Sequence, residues 1–266
     1  MARNSFRVQV VENKEVALNT FLFKMNLLGR RISPKPGQFL EMDIGSSGLL
    51  NRPFSIHYFY DDKKHIKILF KVVGKSTEYL SQKAVGDYVN FLGPFGNGFN
   101  FKRKLSRLAI VAGGIGYAPF AFLIKELLKK KDIKTIDVFY GVTTEVEFVE
   151  FWRLKDPRLK FYLTTDDGSK WTKGFITDEF RKVLDSGTEY DKVFTCGNQL
   201  MLKKVFDICS EKRISVEGSL EKRFGCGFGA CLGCSIKLKS GKMEKVCTDG
   251  PVFNLNEIDW SYFNEK

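Results

Sequence analysis

Four cysteines crowd residues 226–247 of this 266-residue chain: Cys226, Cys231, Cys234 and Cys247. The first three are spaced C-x4-C-x2-C, and glycines stand at 225, 227, 229 and 233. This is the plant-type pattern for a two-iron, two-sulfur cluster. Four thiolates must converge on two irons from one tight loop, so the cluster dictates how this segment folds. The glycines let the backbone curl around it. They also let amide N–H groups turn toward electron-rich sulfurs, which tunes the potential. A structural zinc site would ordinarily show two C-x2-C knuckles, and this chain has one. We therefore expect a [2Fe-2S] cluster held by Cys226, Cys231, Cys234 and Cys247. The other two cysteines, Cys196 and Cys209, lie outside this set, and Cys209 falls on the apolar face of a predicted helix.

Residues 1–100 read as an all-β unit. Strands are predicted at Arg7–Val11, Thr20–Leu27, Gln38–Ile44, Phe54–Tyr60, Ile66–Val73 and Tyr88–Phe91, each rich in β-branched and aromatic residues and bounded by turn formers. Strands this short and this many suggest a small antiparallel barrel. Glycines 93, 96 and 98, Pro94 and the basic Lys102-Arg103-Lys104 then mark a boundary.

Residues 101–218 alternate strand and helix, the signature of βαβ units and a doubly wound parallel sheet. Strands are predicted at Arg107–Ala112, Thr135–Val142, Leu159–Thr164, Lys192–Cys196 and Ile214–Val216. Helices are predicted at Ala118–Lys130, Glu145–Leu154, Ile176–Leu184 and Leu200–Lys212. Residues 219–266 form the Cys-rich module. The uncharged run Leu108–Ile124 contains Gly113, Gly114, Gly116 and Pro119, so it reads as a buried strand, a turn and a helix. It is also shorter than the ~20 residues a spanning helix needs, and no membrane span is expected.

Two further motifs point to nucleotides. Arg52-Pro53-Phe54-Ser55 lies on a barrel strand, with Gly74-Lys75-Ser76-Thr77 following. An arginine forks onto phosphate, and a small hydroxyl residue lets a ring system approach the strand. Gly74 and the hydroxyls and amides of Ser76 and Thr77 are candidates for a second phosphate. Gly113-Gly114-Ile115-Gly116 follows a buried strand and opens a helix, where glycines and helix N–H groups receive a pyrophosphate. The third glycine of the dinucleotide fingerprint is replaced by Pro119. The loop Tyr140-Gly141-Val142-Thr143-Thr144 offers no Arg or Lys to a 2′-phosphate, which favours NAD over NADP. Thr195-Cys196-Gly197 ends a parallel strand, where ligands of such sheets sit. Asp166-Asp167-Gly168 reads as a plain turn.

Together these residues resemble the electron-transfer subunits of two-component, NAD-linked dihydroorotate dehydrogenases, within the ferredoxin-reductase superfamily. The resemblance rests on R-P-F-S at 52–55, G-P-F-G-N-G-F at 93–99, G-G-I-G-Y-A-P at 113–119 and D-D-G-S at 166–169. Its most specific part is Ser219-Leu220-Glu221, the cysteine set, and Cys247 followed by Thr248-Asp249-Gly250-Pro251-Val252-Phe253. It implies FAD contacts from Arg52, Pro53, Phe54 and Ser55, from Leu69, Phe70 and Lys71, and from Ser76 and Thr77. It places Gly113, Gly114, Gly116, Cys196 and Gly197 on the nicotinamide side, with NAD as co-substrate. One departure is Asn198, where the family commonly has Pro. The implied partner is an FMN-containing catalytic chain that oxidises dihydroorotate in pyrimidine (UMP) biosynthesis, in a heterotetramer. No residue of this chain then acts as acid or base on the organic substrate. The nearest alternative is a flavin/iron–sulfur reductase subunit serving a hydrogenase or ferredoxin.

Composition excludes other classes. The net charge of +12 is spread along the chain rather than gathered in a tail, so no nucleic-acid partner is expected. Only His57 and His65 are present, which leaves no histidine cluster for catalysis or metal. Residues 1–7 lack the apolar stretch of a secretory leader, so a cytoplasmic setting is expected.

Overall fold

The computed structural model describes residues 5–45, 51–149 and 155–263. Strands β1 (Ser5–Ala17), β2 (Thr20–Asn26), β3 (Phe39–Met42), β4 (Arg52–Phe59), β5 (His65–Lys71) and β6 (Tyr88–Phe95) close into a barrel in the order β1-β2-β5-β4-β3-β6. Alternation drives closure: Phe6, Val8 and Val10 on β1 point inward with Phe23, Met25, Ile56 and Ile68. A short helix, α1 (Lys75–Ser81), buries Thr77 and Leu80 against this barrel. It is too short for helical periodicity to show in the sequence.

The second half is a sheet in which parallel strands carry the core. It comprises β7 (Arg107–Gly113), a 3₁₀ turn at Gly114–Tyr117, α2 (Phe120–Leu128), β8 (Thr135–Val142), β9 (Leu159–Thr165), β10 (Thr172–Lys173), α3 (Ile176–Asp185), β11 (Lys192–Cys196), α4 (Gln199–Glu211) and β12 (Val216–Ser219). The tail adds β13 (Ser235–Lys237), β14 (Met243–Lys245), β15 (Val252–Asn254) and α5 (Trp260–Phe263). Strand order is β10-β9-β8-β7-β11-β12-β15, parallel from β10 to β12, with β15 antiparallel at the edge. From β7 the chain winds out through β8 and β9, then returns to the other side of β7 through β11 and β12. That reversal opens a crevice beyond the carboxyl ends of β7 and β11. Among the described residues no helix is long and apolar enough to cross a membrane.

Two local expectations are corrected. The helix expected over Glu145–Leu154 is only a 3₁₀ turn at Glu145–Glu147. The backbone is extended at Phe148, whose buried ring packs 4.8 Å from Tyr140 and 4.1 Å from Trp171, and tertiary burial overrides the helical pattern. Residues 150–154 of that expected helix lie outside the described residues. The strand expected at Ile214–Val216 begins only at Val216: Ile214 N–H still bonds to the Cys209 carbonyl, and Arg213 turns the chain with φ 56°. The Cys-rich tail joins the sheet, because β15 pairs with β12 through Gly218↔Phe253 and Ser219↔Val252.

The two glycine-rich motifs distant in sequence meet here. Asn97 N–H donates to the Gly250 carbonyl, and the Asn97 side chain donates to the carbonyls of Thr248 (3.3 Å) and Asp249 (3.0 Å). Gly96 has φ +76° and a Cβ there would stand 2.6 Å from Pro251 Cδ, so this crossing admits only glycine. Phe39 on β3 packs 5.2 Å from Phe224, just before the cysteines. Cys234, Val246 and Cys247 join the core formed by α3, α4 and Trp260. The cysteine tail is thereby wedged between barrel and sheet.

Candidate functional site

Two cavities flank the 3₁₀ turn after β7. The first, about 630 Å³, lies between the barrel and the sheet. Arg52, Pro53, Phe54 and Ser55 of β4 line it, with Leu69, Phe70 and Lys71 of β5 and Gly74, Ser76 and Thr77 at the opening of α1. All ten residues assigned to FAD from the sequence thus share one cavity. Pairing of β4 with β5 brings the first two groups together, and Phe54 meets Phe70 edge-on at 5.6 Å. Cys196 lines it as well, together with Ile115, Ala118 and Pro119 of the loop after β7. Burial pushes the Cys196 thiol far up, which keeps it a neutral wall and not a nucleophile.

Two side chains here are already engaged. Thr77 Oγ1 accepts from the N–H of Val73 (2.9 Å) and Gly74 (3.3 Å) and donates to the Gly74 carbonyl (2.9 Å). Its hydroxyl caps α1, so a phosphate at this turn would meet backbone amides instead. Lys71 Nζ forms a 2.6 Å ion pair with Glu147, which lines the second cavity. The barrel is also joined to the glycine loop by His57, whose Nδ1–H donates to the Ala118 carbonyl at 2.8 Å. Burial lowers the His57 pKa to about 4, so the ring is neutral.

The second cavity, about 530 Å³, sits in the crevice of the sheet. Gly113, Gly114 and Gly116 line it with Gly197, as expected from the sequence. The glycines serve different ends. Gly114 has φ +53° and open space where a methyl would stand, whereas a methyl on Gly116 would run into the Cys196 carbonyl. Asn198 caps α4 by accepting from Met201 N–H at 2.9 Å, a bond that a proline side chain could not make.

Residues that sequence reasoning passed over connect the cavities. Ile115 and Glu221 line both. Glu221 is exposed where it borders the two cavities, and the protein around it still desolvates its carboxyl enough to raise its pKa. Its sequence signal is the Ser219-Leu220-Glu221 run just before the first cysteine, which belongs to the resemblance but was given no role. Asp166, read from the sequence as part of a turn, also lines the second cavity.

The cysteine loop begins just beyond Glu221. Its thiols come as two pairs. Cys234 and Cys247 are buried with sulfurs 3.3 Å apart, while Cys226 accepts N–H bonds from Ala230 (3.2 Å) and Cys231 (3.4 Å). Burial opposes ionisation of Cys226, but the amides of Phe228, Cys231 and Ala230 outweigh it and hold the thiol at about 7. Burial, with the neighbouring Cys234 thiol, pushes Cys247 up to about 12. A Cβ on Gly225 would lie 3.0 Å from Cys231 Sγ, so that glycine makes room for the sulfur. Gly227 (φ +72°) lies against the Glu41 carboxyl. Two buried oxygens beside the loop, Glu41 Oε1 and Thr248 Oγ1, have no hydrogen-bond partner. Paired thiols, amides aimed at sulfur and orphaned polar atoms suit an iron–sulfur cluster, whose two irons each take two thiolates. Among the described residues no three His, Cys, Asp or Glu side chains converge on a single metal position.

Comparison with known proteins agrees with this layout. A family model described as the iron–sulfur cluster binding domain of dihydroorotate dehydrogenase B matches residues 221–259. Models for an oxidoreductase NAD-binding domain and an oxidoreductase FAD-binding domain match 110–207 and 7–100. A Clostridium acetobutylicum protein named dihydroorotate dehydrogenase B (NAD(+)), electron transfer subunit, is 40% identical over 253 residues, 94% of this chain and 95% of that one. The chain belongs to this electron-transfer subunit family. A second relative of the same name, from Desulforamulus reducens, is 34% identical over 96% of this chain and 98% of its own length. Among solved structures, an NADH-dependent reduced ferredoxin–NADP oxidoreductase superposes with a TM-score of 0.83 at 26% identity, over 96% of this chain and 90% of that one. An Amycolatopsis cytochrome P450 reductase, at 20% identity and TM-score 0.71 over 81% and 69%, shares the fold. FAD-binding, NAD-binding and iron–sulfur modules therefore follow one another along this oxidoreductase chain.

Proposed function

We propose that this chain carries electrons between NAD and a partner subunit that oxidises dihydroorotate with FMN, in pyrimidine (UMP) biosynthesis. Residues 1–100 form the FAD barrel, 101–218 the NAD unit and 219–266 the cluster module. The carrying observation is the linear order of the sites. The nicotinamide-side cavity shares Ile115 and Glu221 with the flavin-side cavity. Arg52 of the latter pairs with Met42, next to Glu41, and the Glu41 carboxyl touches Gly227 of the cysteine loop.

Electron counting supports the same order. Nicotinamide exchanges two electrons as hydride and an iron–sulfur cluster passes one; a bound flavin supplies chemistry compatible with both. The protein's own residues bind and orient. Arg52 would hold the FAD phosphates, Ser55 would leave room for the ring system beside β4, and Gly113, Gly114, Gly116 and Gly197 would let the nicotinamide approach the shared wall. Cys226 and Cys231 would hold one iron of a [2Fe-2S] cluster, Cys234 and Cys247 the other. Cys231 is exposed, with Leu232 61% and Phe228 37% exposed beside it, which favours the loop as the outlet to a partner.

The test uses the full chain purified anaerobically. It should contain FAD, iron and acid-labile sulfide, oxidise NADH with ferricyanide, and leave dihydroorotate untouched until an FMN dihydroorotate dehydrogenase is added. Dihydroorotate turnover by the pure chain would overturn this division of labour. Likeness to a ferredoxin–NADP oxidoreductase favours ferredoxin as a second reading of the acceptor. Copurification decides between the two, and an equimolar complex whose total mass corresponds to two copies of each chain would support the heterotetramer.

A further inference from the structure

We infer that Thr248 donates a hydrogen bond from its hydroxyl to a sulfur of the iron–sulfur cluster and so raises the cluster's reduction potential. This rests on the cysteine set holding that cluster. Two of the ligand cysteines are followed directly by a hydroxyl residue, Cys234 by Ser235 and Cys247 by Thr248. The fold uses the two hydroxyls differently.

Ser235 Oγ donates to the Leu232 carbonyl, three residues back, at 2.7 Å. This is the local bond to backbone that Ser and Thr commonly make. For Thr248 the equivalent acceptor is the Lys245 carbonyl, and three amides already occupy it: those of Thr248 (3.2 Å), Asp249 (2.8 Å) and Gly250 (3.3 Å). The Thr248 carbonyl in turn receives the Asn97 side chain, so the backbone is fixed on both sides. Among the described residues, the buried Thr248 Oγ1 has no hydrogen-bond partner. A buried hydroxyl left unbonded is rare and costly, so the atom calls for an acceptor that the protein itself does not supply.

The side chain lies where a cluster sulfur is the natural acceptor. A Cβ on Gly229 would stand 2.9 Å from Thr248 Cγ2 and 3.5 Å from Thr248 Oγ1, so the threonine packs against the turn between Cys226 and Cys231. The amides of that turn point at sulfur. Gly229 N–H donates to Cys247, and the N–H groups of Phe228, Ala230 and Cys231 donate to Cys226. Thr248 thus stands beside one thiol of each pair. The other unpartnered oxygen of this region, Glu41 Oε1, lies against Gly227, and the two do not satisfy each other. Reduction adds a negative charge to the cluster, and a donor bond to sulfur strengthens with that charge. Hydrogen bonds to the sulfurs are therefore a lever on the potential, and the Thr248 hydroxyl adds a side-chain donor to the amides.

The experiment is a dithionite titration of the full chain purified anaerobically, with the reduced cluster quantified by EPR. At the wild-type midpoint, Thr248→Val should lower the ratio of reduced to oxidised cluster about 10-fold, which is a midpoint about 59 mV lower. Thr248→Ser keeps the hydroxyl and should stay within about 2-fold of wild type, as should Ser235→Ala, whose hydroxyl serves its own turn. In D2O, pulsed EPR of the reduced wild type should show a deuteron coupling that the Val variant lacks. Thr248→Ala replaces the Val variant if that one does not assemble a cluster. An unmoved midpoint with full iron and acid-labile sulfide overturns the assignment alone, and so does an equal shift from Ser235→Ala or Thr248→Ser. Loss of the cluster from both Val and Ala variants also overturns it, because the hydroxyl then serves assembly rather than potential. A wild type without iron or sulfide defeats the cluster reading itself.

Discussion

Alanine at Gly114 and at Gly116 separates two reasons for a glycine that the sequence motif does not distinguish. Gly114 sits at φ +53° with nothing within 4 Å of an added Cβ, so Gly114→Ala costs only left-handed backbone strain, about 1–2 kcal/mol. Gly116 carries no positive φ, but its Cβ would lie 2.6 Å from the Cys196 carbonyl carbon and 2.8 Å from Gly197 Cα. Both are backbone atoms, and ordinary contact begins at 3.4 Å, so the chain must part by 0.6 to 0.8 Å (3.4 − 2.8 and 3.4 − 2.6). The end of β11 has little freedom to move, because Cys196 pairs with Ala112 on one side and Ser219 on the other. Overpacking of this kind costs about 1–3 kcal/mol in stability. The functional loss should be larger, because Cys196 and Gly197 line the two cavities, and a misplacement near 1 Å at a reacting centre costs on the order of 100-fold in rate. We expect Gly116→Ala to lower kcat/KM for NADH oxidation with ferricyanide about 100-fold with FAD retained. Gly114→Ala should lower it by no more than about 30-fold, the equivalent of the upper end of its strain. Flavin fluorescence on heating should report retention of FAD and the stability change of each variant. A Gly114 variant as impaired as the Gly116 variant would refute the close-approach argument.

Other expected outcomes probe separate parts of the molecule. His57 binds a proton near pH 6.5 when unfolded but only near pH 4 when folded, so its contribution is complete above pH 6.5 and declines as pH falls toward 4. The loss reaches roughly 3 kcal/mol, and His57→Asn should flatten the dependence of thermal stability on pH over that window. Gly227→Ala combines a φ of +72° with contact against the buried Glu41 carboxyl, and should reduce iron per FAD by more than half while the flavin spectrum persists. Cys231→Ser should abolish the cluster's visible absorption and its acid-labile sulfide without loss of FAD. Retention of a full cluster would remove Cys231 from the ligand set.

Much of the site was legible because its chemistry demands local patterns. A cluster needs thiolates at short spacing, and a pyrophosphate needs glycines between a strand and a helix. Both constraints act within a dozen residues, so Cys226, Cys231 and Cys234 or Gly113, Gly114 and Gly116 announce themselves. The barrel strands did so through runs of β-branched and aromatic residues between turn formers. Helix α1 did not, since seven residues carry no readable period. The Glu145–Leu154 segment misled because its helical pattern competes with burial of Phe148 against Tyr140 and Trp171, contacts made with other elements.

Local spacing therefore determined which cofactors this chain is built to hold and roughly where each motif lies. Only the tertiary structure decided what stands between them. Glu221 and Ile115 became a shared wall, Glu41 came to rest on the cysteine loop, and Asp166 turned from a surface bend into a cavity residue. Each of these depends on strands distant in sequence being brought side by side: β4 beside β3, β8 beside β9, β12 beside β11 and β15. Backbone hydrogen bonding and apolar burial choose those neighbours for the whole chain at once, so no short window of residues records the result.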